Sequence, residues 1–228
     1  MIDIAVVDYG MGNLRSVAKA LEHVAPTKVI AVTSDPAAIR EAARIVFPGQ
    51  GAMPDCMREM DARGLRAPLL DAASSKPFLG LCIGLQMLFE HSEEGDTPGL
   101  GVLPGKVVRF AATGELSGQG EKLKVPHMGW NQVYQSLSHP MWEGIADGSR
   151  FYFVHSYYVN TPDQSVVAGT SRYPSSFTCA VARNNIFAVQ FHPEKSQSAG
   201  LRLLSNFVSW NGAKRVSAQA DAVPAANV

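Results

Sequence analysis

Cys82 stands in the run Gly80-Leu81-Cys82-Ile83-Gly84-Leu85-Gln86, between an apolar strand pattern and an apolar pattern of helical type that runs on through Phe89. The spacing Gly-x-Cys-x-Gly is the thiol counterpart of the Gly-x-Ser-x-Gly turn, in which small neighbours let the chain reverse sharply and lift a nucleophile over the end of a sheet. The thiolate is the reactive form of cysteine, and the positive end of a following helix favours it. Taken alone, such a residue is equally a small buried hydrophobe.

A second strand-like run, Ile186-Phe187-Ala188-Val189-Gln190-Phe191, ends in His192-Pro193-Glu194. In extended chain, residues two apart project to one face. The Glu194 carboxylate can then orient the His192 imidazole, which can exchange a proton with a thiol and with a leaving amine. Cys82, His192 and Glu194 form a candidate triad. Pro48-Gly49-Gln50-Gly51 also follows a strand-like run, so its backbone N–H groups are free to hold an oxyanion, although the same residues would serve an ordinary tight turn. Gln86, four residues past Cys82, faces either the pocket or solvent.

The remaining histidines divide by context. His23 and His91 are expected near helix C-termini, where histidine complements the dipole, and His139 opens a turn with Pro140. His127 and His155 stand in the denser segments Pro126-His127-Met128-Gly129-Trp130-Asn131 and Tyr152-Phe153-Val154-His155-Ser156-Tyr157-Tyr158. No His, Cys, Asp or Glu set recurs there at metal-ligand intervals, so no metal is expected. No Walker loop is present, and Gly10-Met11-Gly12-Asn13 lacks the third glycine of a dinucleotide fingerprint, so no cofactor is expected either. Asn13 is read as a helix N-cap.

The elements that must position these groups alternate in the first half. Strand patterns at Ile2–Asp8, Lys28–Val32, Arg44–Phe47 and Phe78–Leu81 are separated by helix patterns at Asn13–His23, Pro36–Glu41, Met53–Met60 and Arg63–Ala73. That order predicts an α/β fold with a central, mostly parallel sheet, helices on both faces and ligands beyond the carboxyl ends of the strands. The second half reads as β-rich runs at Lys106–Phe110, Asn131–Gln135, Arg150–Val154, Ser165–Thr170, Phe177–Ala182 and Ile186–Phe191. These predict a mixed or antiparallel extension of the same sheet. A last helix is expected at Ser198–Trp210. One domain over residues 1–212 is expected, with 213–228 a disordered tail that has little to bury.

With 228 residues, 46% hydrophobic composition and a formal net charge of zero, the chain suits one ordinary globular core. Basic residues are scattered, which argues against nucleic-acid or membrane-surface partners. The start, Met1-Ile2-Asp3-Ile4-Ala5-Val6-Val7-Asp8, lacks the form of a signal peptide, and a cytoplasmic site is expected. Three cysteines, an odd number in a chain of this size, argue against a disulfide framework; Cys56 and Cys179 are read as structural thiols.

Pro48-Gly49-Gln50-Gly51, Gly80-Leu81-Cys82-Ile83-Gly84-Leu85-Gln86 and Phe191-His192-Pro193-Glu194 together resemble the three hallmarks of the triad (class I) glutamine amidotransferases. Within that family, Asp8-Tyr9-Gly10-Met11-Gly12-Asn13, Pro126–Asn131, Tyr152–Tyr157 and the extension to Lys195-Ser196 resemble the glutaminase subunits of imidazole glycerol phosphate synthases, over about residues 2–210. The resemblance implies that Cys82 attacks the glutamine side-chain amide and that backbone N–H groups around Gly49, Gly51 and Ile83 hold the oxyanion. It implies that His192 and Glu194 complete the chemistry, and that Gly51, Gln86, Ser156 and Tyr157 hold glutamine. Tyr152 and Lys195 would face a partner, and Asn13 would carry its signal. The partner implied is a (β/α)8-barrel cyclase subunit in a heterodimer. It takes up ammonia through a closed path and makes imidazole glycerol phosphate and aminoimidazole carboxamide ribotide, in histidine biosynthesis. The glutaminase is expected to be weak alone and stimulated by the loaded partner. Open alternatives are the glutaminase subunit of a pyridoxal phosphate, anthranilate or purine synthase, a cysteine peptidase or α/β-type hydrolase, and a regulatory subunit without catalysis.

Overall fold

The computed structural model describes residues 1–111 and 124–213. Its strands are β1 (Ile4–Val7), β2 (Ile30–Thr33), β3 (Arg44–Gly49), β4 (Phe78–Cys82), β5 (Phe89–Ser92), β6 (Thr97–Pro98), β7 (Leu103–Arg109), β8 (His127–Gln132), β9 (Tyr134–Gln135), β10 (Arg150–His155), β11 (Tyr157–Asn160), β12 (Val167–Arg172), β13 (Ser176–Arg183) and β14 (Ile186–Val189). The helices are α1 (Leu14–Val24), α2 (Pro36–Glu41), α3 (Met53–Ala62), α4 (Arg66–Ser75), α5 (Ile83–Gln86) and α6 (Gln197–Ser209). Local chemistry sets several of these. In α1, Leu14, Val17, Ala18 and Leu21 follow the spacing of one helical face. In α2, the Asp35 side chain accepts from Ala37 N–H at 2.9 Å with Pro36 in the first turn, two ordinary start signals.

One large sheet runs in the order β2-β1-β3-β4-β14-β13-β11-β7-β5-β6, with β12 and β9 attached beside β13. Its first five strands pair in parallel; β14–β13, β13–β11 and β11–β7 are antiparallel. The two-residue period of a strand sorts the core into two layers. Ile4 and Val6 pack with Val17 and Leu21 of α1 and Leu203, Leu204 and Phe207 of α6. Ala5 and Val7 turn the other way, onto Ile39 of α2, Met57 and Met60 of α3 and Leu69 of α4. Each such large side chain is stabilised by about 1.5–3 kcal/mol on leaving water. These layers, more than the propensities of short helices, hold the strands that carry the site.

Three expectations need correction. The helix after Cys82 stops at Gln86, because the carbonyls of Met87, Leu88 and Phe89 accept from Leu100, Leu103 and Gly101 N–H instead of from a further helical turn. His91 accordingly lies in strand β5 and pairs with Asp96 at 2.9 Å, and caps no helix. β8 and β10 do not join the large sheet but form a separate antiparallel ribbon. β11, for which the sequence shows no separate strand pattern, pairs with β7. The expected tail beyond Ala213 lies outside the described residues.

Candidate active site

Three adjacent parallel strands, β3, β4 and β14, end side by side, with Gly49 opposite Cys82 and Leu81 opposite Val189. This register brings the glycine turn, the cysteine and the segment leading to His192 to one edge of the sheet. Cys82 has φ 54° and ψ −110°, in the left-handed half of the map that a side chain rarely adopts. Such an outlier is held by its surroundings. A Cβ on Gly84 would lie 1.8 Å from the Phe47 carbonyl oxygen, so the chain after the nucleophile can press against β3 only as glycine.

The cavity at the elbow is lined by Gln50, Gly51, Cys82, Ile83, Gln86 and Glu94 and, from the second half of the chain, by Pro126, Val154, His155, Ser156, Tyr157 and His192. Of the residues singled out in sequence, Cys82, Gly51, Ile83, Gln86, Ser156, Tyr157 and His192 meet here. Gly49 does not line the cavity. It lies beneath the elbow, where a Cβ would come within 2.6 Å of Tyr9 Oη and 2.7 Å of Ile83 Cβ, so close packing is what requires glycine there.

His192 Nδ1 and Glu194 Oε1 are 2.9 Å apart, both side chains nearly removed from solvent, while His192 Nε2 is left without a hydrogen-bond partner in a wall of the cavity that Cys82 also lines. Burial alone would push the imidazole's pKa down. The neighbouring Cys82 and the Glu194 carboxylate reverse that and raise it to about 10, so His192 can hold a proton on the cavity wall that Cys82 shares. The loop bearing His192 is tied down by backbone. His192 N–H donates to Tyr152 O at 2.9 Å, Tyr152 N–H donates to Ser196 Oγ at 3.0 Å, and Ser196 Oγ donates to His192 O at 2.6 Å.

Gln86 is buried, and its Nε2 donates to Tyr157 O at 3.1 Å and to Gln190 Oε1 at 2.9 Å, leaving Oε1 without a partner at the cavity. Two polar groups here were not foreseen. Glu94 accepts from Met53 N–H at 2.9 Å and puts a carboxylate on the cavity wall. It sits in a short acidic run with no periodicity, so nothing in the sequence set it apart. Gln190 lies two residues before His192, and its position on the same strand face was a signal within reach.

The partner-facing candidates lie elsewhere. Tyr152 of β10 meets the Trp130 ring at 6.1 Å and carries the Lys195 ammonium 5.7 Å above its own ring. Met128, Trp130 and Tyr134 are exposed nearby in sequence, on β8 and β9. Asn13 is the N-cap residue of α1, as the sequence suggests; its carbonyl accepts from Val17 N–H, while its side chain makes no capping hydrogen bond.

Comparison with known proteins extends these observations. The family model described as glutamine amidotransferase class-I matches residues 5–210. A protein of Aromatoleum aromaticum, named imidazole glycerol phosphate synthase subunit HisH, is 68% identical over 210 residues, 92% of this chain and 99% of its own. A protein of the same name from Thiobacillus denitrificans is 65% identical over 217 residues, 95% of each chain. A solved structure described as a glutamine amidotransferase superposes with a TM-score of 0.67 at 17% identity, covering 91% of this chain and all of the other, a likeness of fold.

Proposed function

Because the chain belongs to the class-I glutamine amidotransferases, we propose that it is the glutaminase subunit of imidazole glycerol phosphate synthase and that Cys82, His192 and Glu194 carry its chemistry. The observation that carries the reading is the left-handed Cys82 on its elbow, lining one cavity with a His192 that Glu194 orients.

The Cys82 thiolate attacks the carbonyl carbon of the glutamine side-chain amide, and the carbonyl oxygen becomes an oxyanion. Backbone N–H groups at Ile83 and Gly51, both on the cavity lining, are assigned to hold it, and losing one such donor typically costs about a hundredfold or more in turnover. His192 gives its Nε2 proton to the departing nitrogen, so ammonia leaves and a thioester remains on Cys82. The neutral imidazole then takes a proton from water, hydroxide adds to the thioester, and glutamate leaves as the thiolate returns. Glu194 keeps Nε2 aimed at the cavity throughout. The unpartnered Gln86 Oε1 and the Glu94 carboxylate are acceptors suited to the substrate α-ammonium, and Ser156 and Tyr157 complete the lining.

The ammonia passes to a (β/α)8-barrel cyclase subunit in a heterodimer, which uses it to make imidazole glycerol phosphate and aminoimidazole carboxamide ribotide. Tyr152, Lys195 and Asn13 are the groups assigned to that partner and its signal. Among the described residues no helix is long and apolar enough to cross a membrane. A cytoplasmic location, with one catalytic domain over residues 1–212, completes the reading. It is tested by incubating the protein with a diazo-ketone analogue of glutamine and locating the adduct by mass spectrometry. One adduct on Cys82, prevented by glutamine, is expected; modification elsewhere or none would refute the assignment.

A further inference from the structure

One carbonyl dictates the direction of every hydrogen bond behind Cys82. Tyr157 O can only accept, and it is met by His155 Nδ1 at 2.8 Å and by Gln86 Nε2 at 3.1 Å. Gln86 must therefore turn its NH2 group towards Tyr157, and the same group reaches Gln190 Oε1 at 2.9 Å. With its oxygen engaged, Gln190 has its own NH2 left to face Cys82 Sγ, 3.8 Å away. On the other side, His155 uses Nδ1–H on Tyr157, so its Nε2 accepts from His127 Nδ1 at 2.8 Å. His127 Nε2 in turn accepts from Asn131 Nδ2 at 3.2 Å, and Asn131 Nδ2 also donates to Arg172 O at 2.9 Å. Flipping either glutamine amide would set two acceptors or two donors against each other.

Gln190 is fully buried, between Val189 and Phe191. A buried amide at the end of an apolar strand costs free energy that an aliphatic side chain would not, unless its donors and acceptors are used. Its side-chain partners are Gln86 and the nucleophile. We propose that Gln190 is a further catalytic residue, whose side-chain N–H donates to the Cys82 sulfur and stabilises the thiolate before attack and again when the thioester breaks. No proton is transferred: the amide keeps both hydrogens, the bond slackens while sulfur is acylated, and it tightens as negative charge returns to sulfur on hydrolysis. The His127–His155 pair anchors the far end of the chain. Burial holds both imidazoles well below the ordinary histidine range, to about 4 and about 3, so both stay neutral and keep the tautomers the chain requires.

The inference rests on the glutaminase reading but is tested apart from it, by alkylation of Cys82 with iodoacetamide, which needs a thiolate and no glutamine. Gln190→Met removes the donor at nearly constant volume; Gln190→Glu keeps an acceptor for Gln86 and removes the donor to sulfur. A hydrogen bond to an ionised acceptor is worth roughly tenfold or more, so alkylation at neutral pH is expected to slow by about that factor in both variants. Glutaminase kcat should fall with it while KM stays within about twofold. Circular dichroism establishes folding. Independently of any substitution at position 190, the Gln190 side-chain amide resonance should move on Cys82→Ala. Alkylation at the unsubstituted rate in a folded variant overturns the inference, including when glutamine turnover is lost, and so does an amide resonance unmoved by Cys82→Ala. Fast alkylation of the unsubstituted protein without glutamine turnover would instead strike at the glutaminase reading.

Discussion

His155 and His192 are buried alike, 6% and 5% exposed, yet their imidazoles titrate on opposite sides of the ordinary value. Desolvation opposes charge on both. It wins at His155, whose neighbours are a carbonyl and another imidazole, and loses at His192, where a thiolate and a carboxylate converge. The consequence for stability can be signed. His127 and His155 have folded pKa values below the unfolded value of about 6.5, so the unfolded chain binds protons first as pH falls. Stability is therefore lost below about pH 6.5, down to the folded values near 4 and 3. Urea unfolding at pH 7 and pH 4 is expected to differ by a few kcal/mol from this pair, beyond the loss due to carboxylates, and the difference should shrink in His127→Gln. An equal fall in the variant would contradict the neutral pair.

Three neighbouring strand ends build the site, and that part of the fold was readable before the structure. Strand patterns at Arg44–Phe47, Phe78–Leu81 and Ile186–Phe191 became β3, β4 and β14, and a parallel order places their carboxyl ends together. What escaped reading depends on distant chain. The apolar run after Cys82 has helical spacing, but residues 100–103 take its carbonyls, so α5 is a single turn and β5 follows. Glu94 reaches the cavity because the short 3-10 turn Glu94–Asp96 packs against α3, where Glu94 accepts from Met53 N–H. The sequence points to the N–H of Gly49, whereas the packing depends on its missing side chain. The elbow itself supplies a test: Gly84→Ala drives a Cβ into the Phe47 carbonyl, and overpacking of this kind costs roughly 1–3 kcal/mol or forces the backbone to move. Both a lower Tm and a large fall in glutamine turnover are expected. An unaltered enzyme would mean the elbow is not held by that contact.

The molecule as a whole joins two regions. At one, the end of β10 and the segment after it line the cavity; at the other, the same β10 pairs with β8, whose Met128 and Trp130 are exposed. Tyr152 belongs to both, since its backbone holds the His192 loop while its ring meets Trp130 and the Lys195 ammonium. A partner seated on this ribbon would act on the imidazole through two hydrogen bonds, which gives a physical route for stimulation by a cyclase. Unused ammonia is protonated in water and lost, so coupling of the two activities is the expected design. The most direct test is glutamate release from glutamine by the purified chain, alone and with a cyclase subunit plus its ribonucleotide ligand, with Cys82→Ala beside it. Slow release alone, strong stimulation by the loaded partner and none in the variant is the predicted result. Release of equal rate with and without the cyclase, or surviving the loss of Cys82, would contradict the account.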